Sequence, residues 1–145
     1  VVALMLKANP DLGWRDVQEI LIRTATRNHS GHSDSRTNAA GIWFNHKYGG
    51  GMINASGAVA RALTWTNLGP QLMVVSNQSG LSVSIPDNSA AGVTRTFTVT
   101  NLMRVEHAVL NGSITHASRG HLRIELISPG NTTSVLANTR ADTGD

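Results

Sequence analysis

The chain has 145 residues with 6 histidines, 14 glycines and no cysteine. The histidines are its first candidates for chemistry. His29-x-x-His32, with Asp34 two residues on, is the spacing of half a metal site. A metal centre needs further ligands, and the surrounding Arg27–Gly41 stretch is polar and rich in Gly, Ser and Asn, the composition of a surface loop. His46 stands just before Gly49-Gly50-Gly51 and is expected to be a hydrogen-bonded structural histidine that orients a turn. His107, His116 and His121 fall among short β-patterned runs. His107 lies opposite Ala108 and Leu110, and His121 opposite Leu122, so both are expected on the exposed face.

Other constellations are weaker. A hydrolytic triad needs a nucleophile on a strained turn, a base and an orienting carboxylate, and the chain has no Gly-x-Ser-x-Gly. Its serines sit in loops, in candidate strands, or at Ser56 in a candidate helix. The glycine run lacks the Lys-Ser/Thr of a phosphate-binding loop and the strand-turn-helix frame of a dinucleotide site. No catalytic, cofactor-binding or metal-ligating residue is therefore assigned within these residues.

The elements that would position such groups divide the chain in two. Residues 1–65 hold all three Trp, the single Tyr and a 3.6-residue apolar period. Val1–Asn9 reads as a helix that Pro10 terminates. Val1–Leu6 is apolar on every side and has no cap, so it is expected to be surrounded by protein, as though the chain began inside the core of a larger domain. A second helix is expected from Trp14, with Gly13 as cap, Asp16 in the first turn and Glu19 paired to Arg23. Its packing positions are Val17, Ile20, Leu21 and Ala25, with Trp14 at the entry to the core. A third helix, capped by Asn54, runs to about Trp65 with Ala55, Ala58, Val59, Ala62 and Leu63 on one stripe. Thr66–Gln71 reads as a linker.

Beyond it the period changes to 2. Candidate strands are Leu72–Val75, Leu81–Ile85, Val93–Val99, Val105–Thr115, Leu122–Ile127 and Ser134–Ala137. Turn residues at Pro86-Asp87-Asn88, Ser118-Arg119-Gly120 and Ser128-Pro129-Gly130-Asn131 separate several of them. Short alternating strands at this spacing indicate an antiparallel sandwich, and six would leave its edges open.

Composition excludes little. The net charge of +3 comes from scattered Lys and Arg without interleaved aromatics, which argues against nucleic acid. No apolar run reaches the ~18 residues of a membrane span. Five Asn-x-Ser/Thr sequons, at Asn28, Asn54, Asn77, Asn111 and Asn131, are compatible with a secretory origin, although chance also explains them in a chain rich in these residues.

Three segments together resemble one family. Ala3–Pro10 followed by Gly13-Trp14-Arg15-Asp16-Val17-Gln18 is similar to the stretch after the catalytic serine in subtilisin-like proprotein convertases. Asn45–Ala55, with Tyr48-Gly49-Gly50-Gly51-Met52-Ile53-Asn54-Ala55, resembles the element that closes the subtilase domain. Ser84–Asn88, Val105-Glu106-His107, and Ile114 through Arg119-Gly120 to Pro129 resemble the P (Homo B) domain of kexin and furin relatives. The sequence departs where the family carries an aromatic, here Gly50, and where it carries Arg-Gly-Asp, here Arg119-Gly120-His121.

The resemblance implies an α/β subtilase remnant, represented only by helices, followed by a partial all-β jelly-roll-like sandwich. It places the end of the catalytic domain at 1–66, a linker at 67–71 and a truncated P domain at 72–145. It further implies a parent that is a calcium-dependent serine endopeptidase cleaving proproteins at basic residues. Its triad would lie upstream, no calcium ligand is identified within these residues, its location would be the secretory pathway (Golgi membrane or secreted) or, for a bacterial parent, extracellular, and its catalytic and P domains would share an interface. The alternatives are a P-domain-bearing bacterial secreted subtilase and a non-catalytic β-sandwich binding or structural module.

Overall fold

The computed structural model describes residues 1–141. It divides into two compact units: Val1–Gly69 together with the described residues from Ile114 onward, and Pro70–Ser113.

Helix α1, Val2–Ala8, is built from strong helix formers and ends at Asn9, whose backbone is extended ahead of Pro10. Helix α2 spans Trp14–Thr24, and α3 spans Ala55–Leu63. The Asn54 side chain caps α3 by accepting a bond from the Gly57 N–H at 2.9 Å. Both α1 and α2 pack on α3. Ala58 and Ala62, fully buried, present so little side chain that larger residues can close over them. Met5, Leu12 and Ile20 complete the core, with Ala8, Val17, Leu21, Val59 and Trp65 packed around it.

Polar bonds lock this packing. The Asp16 carboxylate is buried, yet it is satisfied on both oxygens. Oδ1 accepts from Trp65 Nε1 and from the Leu68 N–H, each at 2.8 Å, and Oδ2 accepts from the Gly13 N–H at 2.8 Å. Burial pushes its pKa up, but the three hydrogen bonds and the Arg15 charge outweigh that and hold it below its ordinary value of 3.8. Asn9 Nδ2 donates to the Ala62 carbonyl at 3.0 Å, and Arg15 donates to the Gly69 carbonyl at 2.7 Å.

Two small antiparallel sheets complete the unit. In one, β1 (Arg36–Thr37) pairs with β2 (Trp43–Phe44), with Arg36 opposite Phe44 and Thr37 opposite Trp43. Asn38 closes this hairpin, its Oδ1 accepting from the Ala40 and Ile42 N–H groups. In the other, β3 (Ile124–Ile127) pairs with β4 (Thr133–Ala137), with an irregularity between Ile124 and Glu125. Leu122, Ile124 and Leu126 are half-buried while His121, Arg123 and Glu125 are exposed, so the period-2 pattern places the apolar face as expected.

Several expectations are corrected. The segments Leu72–Val75, Leu81–Ile85, Val93–Val99 and Val105–Thr115 form no strand. A ladder needs partners for its N–H and C=O groups, and alternation alone supplies none. Within Pro70–Ser113 the apolar side chains stay largely exposed, Met73 to 83%. Gln78 Nε2 there donates to the Thr96 carbonyl at 2.6 Å. Arg27–Gly41 is not loop throughout, since it contributes β1. Within Val1–Leu6, Met5 is the side chain buried among the described residues, where α1 packs on α3, and the rest of that apolar surface is open, as the reading of a helix drawn from a larger domain expects. Trp14 is 65% exposed, so it does not pack at the entry to the core.

Two outcomes follow for the stability of this unit. Ile20→Ala, at a fully buried position, should cost about 2–5 kcal/mol, whereas Trp14→Ala should stay within about 0.5 kcal/mol; paired denaturant melts compare them. Because the folded pKa of Asp16 is depressed, its contribution is present above the unfolded value and fades as pH falls through the lower folded value. Asp16→Asn should lower the melting temperature at neutral pH and flatten its fall in acid, and an unchanged acid slope would remove Asp16 as a cause.

Candidate functional site

The stretch from Arg27 to Asn54 gathers most of the residues whose chemistry could matter. Thr26 and Met52 exchange both backbone bonds at 2.9 Å and close its base. Gly51, between the bridge and the glycine run, has φ +114, and a Cβ there would run into the Thr26 carbonyl oxygen.

Asp34 is the organiser of this stretch. Its Oδ1 lies 2.9 Å from His46 Nδ1, and its Oδ2 accepts from the His46 backbone N–H at 3.0 Å. The His46 hydrogen bond is the main reason that the Asp34 carboxyl titrates below its ordinary range. His46 is thus the hydrogen-bonded structural histidine expected from the glycine run, and the carboxylate that holds it was legible only as a neighbour of His32. Asn45, fully buried, braces the same turn: its Oδ1 accepts from the Lys47 N–H at 2.8 Å, and its Nδ2 donates to Ser35 Oγ at 3.3 Å.

His32 receives two donors, the Asp34 N–H at Nδ1 (3.1 Å) and Lys47 Nζ at Nε2 (3.2 Å). A neutral imidazole has one acceptor nitrogen, so the two compete for it. The His29 ring stands edge-on to His32 with centroids 5.3 Å apart, and tilted against Tyr48 at 6.4 Å. Among the described residues no three His, Asp or Glu side chains converge as a metal cage. The His29-x-x-His32 spacing is accordingly used in ring packing and turn formation, with Asp34 directed to His46.

A cavity of about 110 Å³ opens beside Gly50, lined by Ile22, Arg23, Arg27, Trp43 and neighbouring backbone. Trp43 is buried, and its indole N–H has no hydrogen-bond partner among the described residues. That N–H is sealed from solvent, so a ligand in the cavity does not reach it. A Cβ on Gly50 would meet Ile22 only at 3.9 Å. Of the remaining histidines, His107 and His121 are exposed, and His116 Nδ1 lies 2.9 Å from the Ser118 carbonyl at the turn before Arg119–His121. No serine hydroxyl is bonded to a histidine ring among the described residues. The arrangement orders a loop and a turn and presents no nucleophile–base pair. Gly50→Ala should therefore change stability by less than about 0.5 kcal/mol, while Gly51→Ala, at positive φ and against the Thr26 carbonyl, should cost roughly 1–3 kcal/mol in the same melt.

Comparison with known proteins gives this scaffold its relatives. The family model described as "Proprotein convertase P-domain" matches residues 105–145. Proprotein convertase subtilisin/kexin type 6 of Rattus norvegicus is 38% identical over 97% of this chain, which spans 16% of that relative. Endoprotease aex-5 of Caenorhabditis elegans is 36% identical over 97% of the chain, which spans 24% of it. Among solved structures, the serine protease of Aeromonas sobria in complex with its chaperone superposes with a TM-score of 0.68 at 25% identity, covering 95% of this chain and 27% of that one. Over nearly its whole length the chain is similar to subtilisin/kexin-type proprotein convertases, of which it spans a minor part, and its residues 105–145 match their P-domain.

Proposed function

We propose that these residues are part of a subtilisin-like serine endopeptidase that processes proproteins after basic residues, and that their own contribution is structural. The observation that carries this reading is the continuity of the match, 38% identity over 97% of the chain to one convertase. In this reading residues 1–66 close the catalytic domain, 67–71 link, and 72–145 carry the P domain, whose jelly-roll-like sandwich would form in the whole enzyme, where the segments between Leu72 and Thr115 find the strand partners that they lack here. The match at 105–145 supports the last part of that division. The nucleophile, base and orienting carboxylate of the triad are supplied by sequence outside these residues.

The α1–α3 core and the Asp16 network then serve as a rigid support for residues elsewhere in the enzyme, because a catalytic group needs locked packing behind it. The substrate is a proprotein segment with basic residues, and nucleic acid has no part. The route is the secretory pathway, to the Golgi membrane or outside the cell. Among the described residues no helix is long and apolar enough to cross a membrane. Calcium dependence is proposed for the whole enzyme only. Calcium takes 6–8 oxygen ligands, and the described residues bring no cluster of carboxylates together, so no calcium ligand is assigned here.

The likeness to the Aeromonas sobria protease favours a second reading, a bacterial secreted subtilase with a P domain, which keeps the chemistry and changes the substrate. A non-catalytic sandwich module is the reading from another class. Expression of the full-length protein separates them. Cleavage of a fluorogenic dibasic peptide, abolished by a serine-directed inhibitor and by calcium chelation, is expected from the convertase. Cleavage without basic preference supports the bacterial protease, and no cleavage by the folded protein supports the module. Residues 1–145 alone should cleave nothing, and deleting everything after Gln71 from the full-length enzyme should lower its maturation or melting temperature.

A further inference from the structure

We propose that Asn131 is an acceptor of an N-linked oligosaccharide, set at the tip of the β3–β4 hairpin where the fold leaves room for it. The proposal rests on the secretory reading above, because the donor and its transferase reside in that compartment. The five sequons are not equivalent in the structure. Asn54 has its amide held in place by the Oδ1 bond from the Gly57 N–H as a helix cap, with Nδ2 close against Gly57, and its Ser56 lies within α3, so the sequon there is constrained by the helix. Asn28 is half-buried. Asn77 and Asn111 are exposed in the Pro70–Ser113 unit, but each is completed by serine. Only Asn131 is completed by threonine, Thr133, whose β-branched hydroxyl is held to fewer rotamers and is the better-placed partner for the asparagine amide.

Three hydrogen bonds close the turn. The Asn131 N–H donates to the Ser128 carbonyl at 2.9 Å, the Ser128 N–H donates to the Thr132 carbonyl at 3.0 Å, and the Thr132 N–H donates to Ser128 Oγ at 3.1 Å. Asn131 sits there with φ +57, exposed, at a position that asparagine tolerates better than most residues. Beside it lies an open cleft of about 370 Å³ whose side chains include Arg36, Thr37, Asn38, Thr132 and Thr133, polar groups suited to the hydroxyls of a first sugar. In the transfer, Asn131 Nδ2 attacks the anomeric carbon of a lipid-pyrophosphate-linked oligosaccharide. The N–C bond forms, the C–O bond to pyrophosphate breaks, the lipid pyrophosphate leaves with the electron pair, and the amide proton passes to the transferase.

The attached chain would also cover a hairpin that exposes Ile127 and Leu136 and whose outer strand edges invite pairing with another chain. The test is to express the full-length protein behind a supplied signal peptide in animal cells and to recover it from lysate and medium. Enzymatic removal of glycans in heavy-oxygen water converts each occupied asparagine into a mass-labelled aspartate. Asn131 should be labelled in most molecules. Asn131→Gln and Thr133→Ala should each remove one glycan's mass, and Thr133→Ser should keep part of it. An unlabelled Asn131 in both fractions, whether or not other sequons are labelled, would overturn the proposal. Since entry to the lumen is supplied, that result stands apart from the secretory reading, which would fail if the full-length protein with its own leader stayed in the cytosol.

Discussion

One carboxylate holds three parts of the helical unit in register. Asp16 draws the α2 N-terminus, the indole just past α3 and the main chain at Leu68 to a single point. Leaving any of these donors buried without an acceptor would cost about 1–3 kcal/mol, a sizeable share of the stability of a small domain. A buried charge survives there because three hydrogen bonds and a nearby guanidinium compensate for the lost water. The alanine surface of α3 makes this possible, since α1 and α2 can close on it without bulk in the way.

The loop that precedes α3 follows the same logic at the surface. Asp34 engages both the ring and the backbone of His46, and Asn45 bonds within its own turn and to Ser35. These are bonds of polar side chains with other side chains or with nearby main chain, so they order backbone that has no long ladder. Such interactions are short in range and individually modest, and several acting together define one conformation.

What was legible in the sequence tracks how local the cause is. The three helices follow from apolar period, Pro10, Gly13 and the Asn54 cap, and each lies where those signals put it. The turn Ser128–Asn131 announces the β3–β4 hairpin in the same way. The Trp65–Asp16 bond, 49 residues apart, carried no local signal. The four alternating segments between Leu72 and Thr115 show the opposite failure. Their pattern states a preference for one face, whereas pairing depends on a partner that residue order alone does not name. In the histidine-rich loop, spacing grouped Asp34 with His29 and His32, while the chain reversal at β1–β2 brought it to His46.

Apart from the bonds that converge on the Asp16 carboxylate, the side-chain ties between distant parts of the helical unit share a direction. Asn9 holds Ala62, Arg15 holds Gly69 and Asn67 holds Asp11, and in every case the acceptor is a backbone carbonyl. A carbonyl is present whatever side chain its residue bears. The donor ends are therefore chemically constrained, while the acceptor ends are free to drift so long as the chain keeps its path. Divergence in such a scaffold should be lopsided, with fixed amides and guanidinium on one side of each tie and variable residues on the other. A search for relatives that weighs the two ends equally would undervalue the positions that hold the helices together.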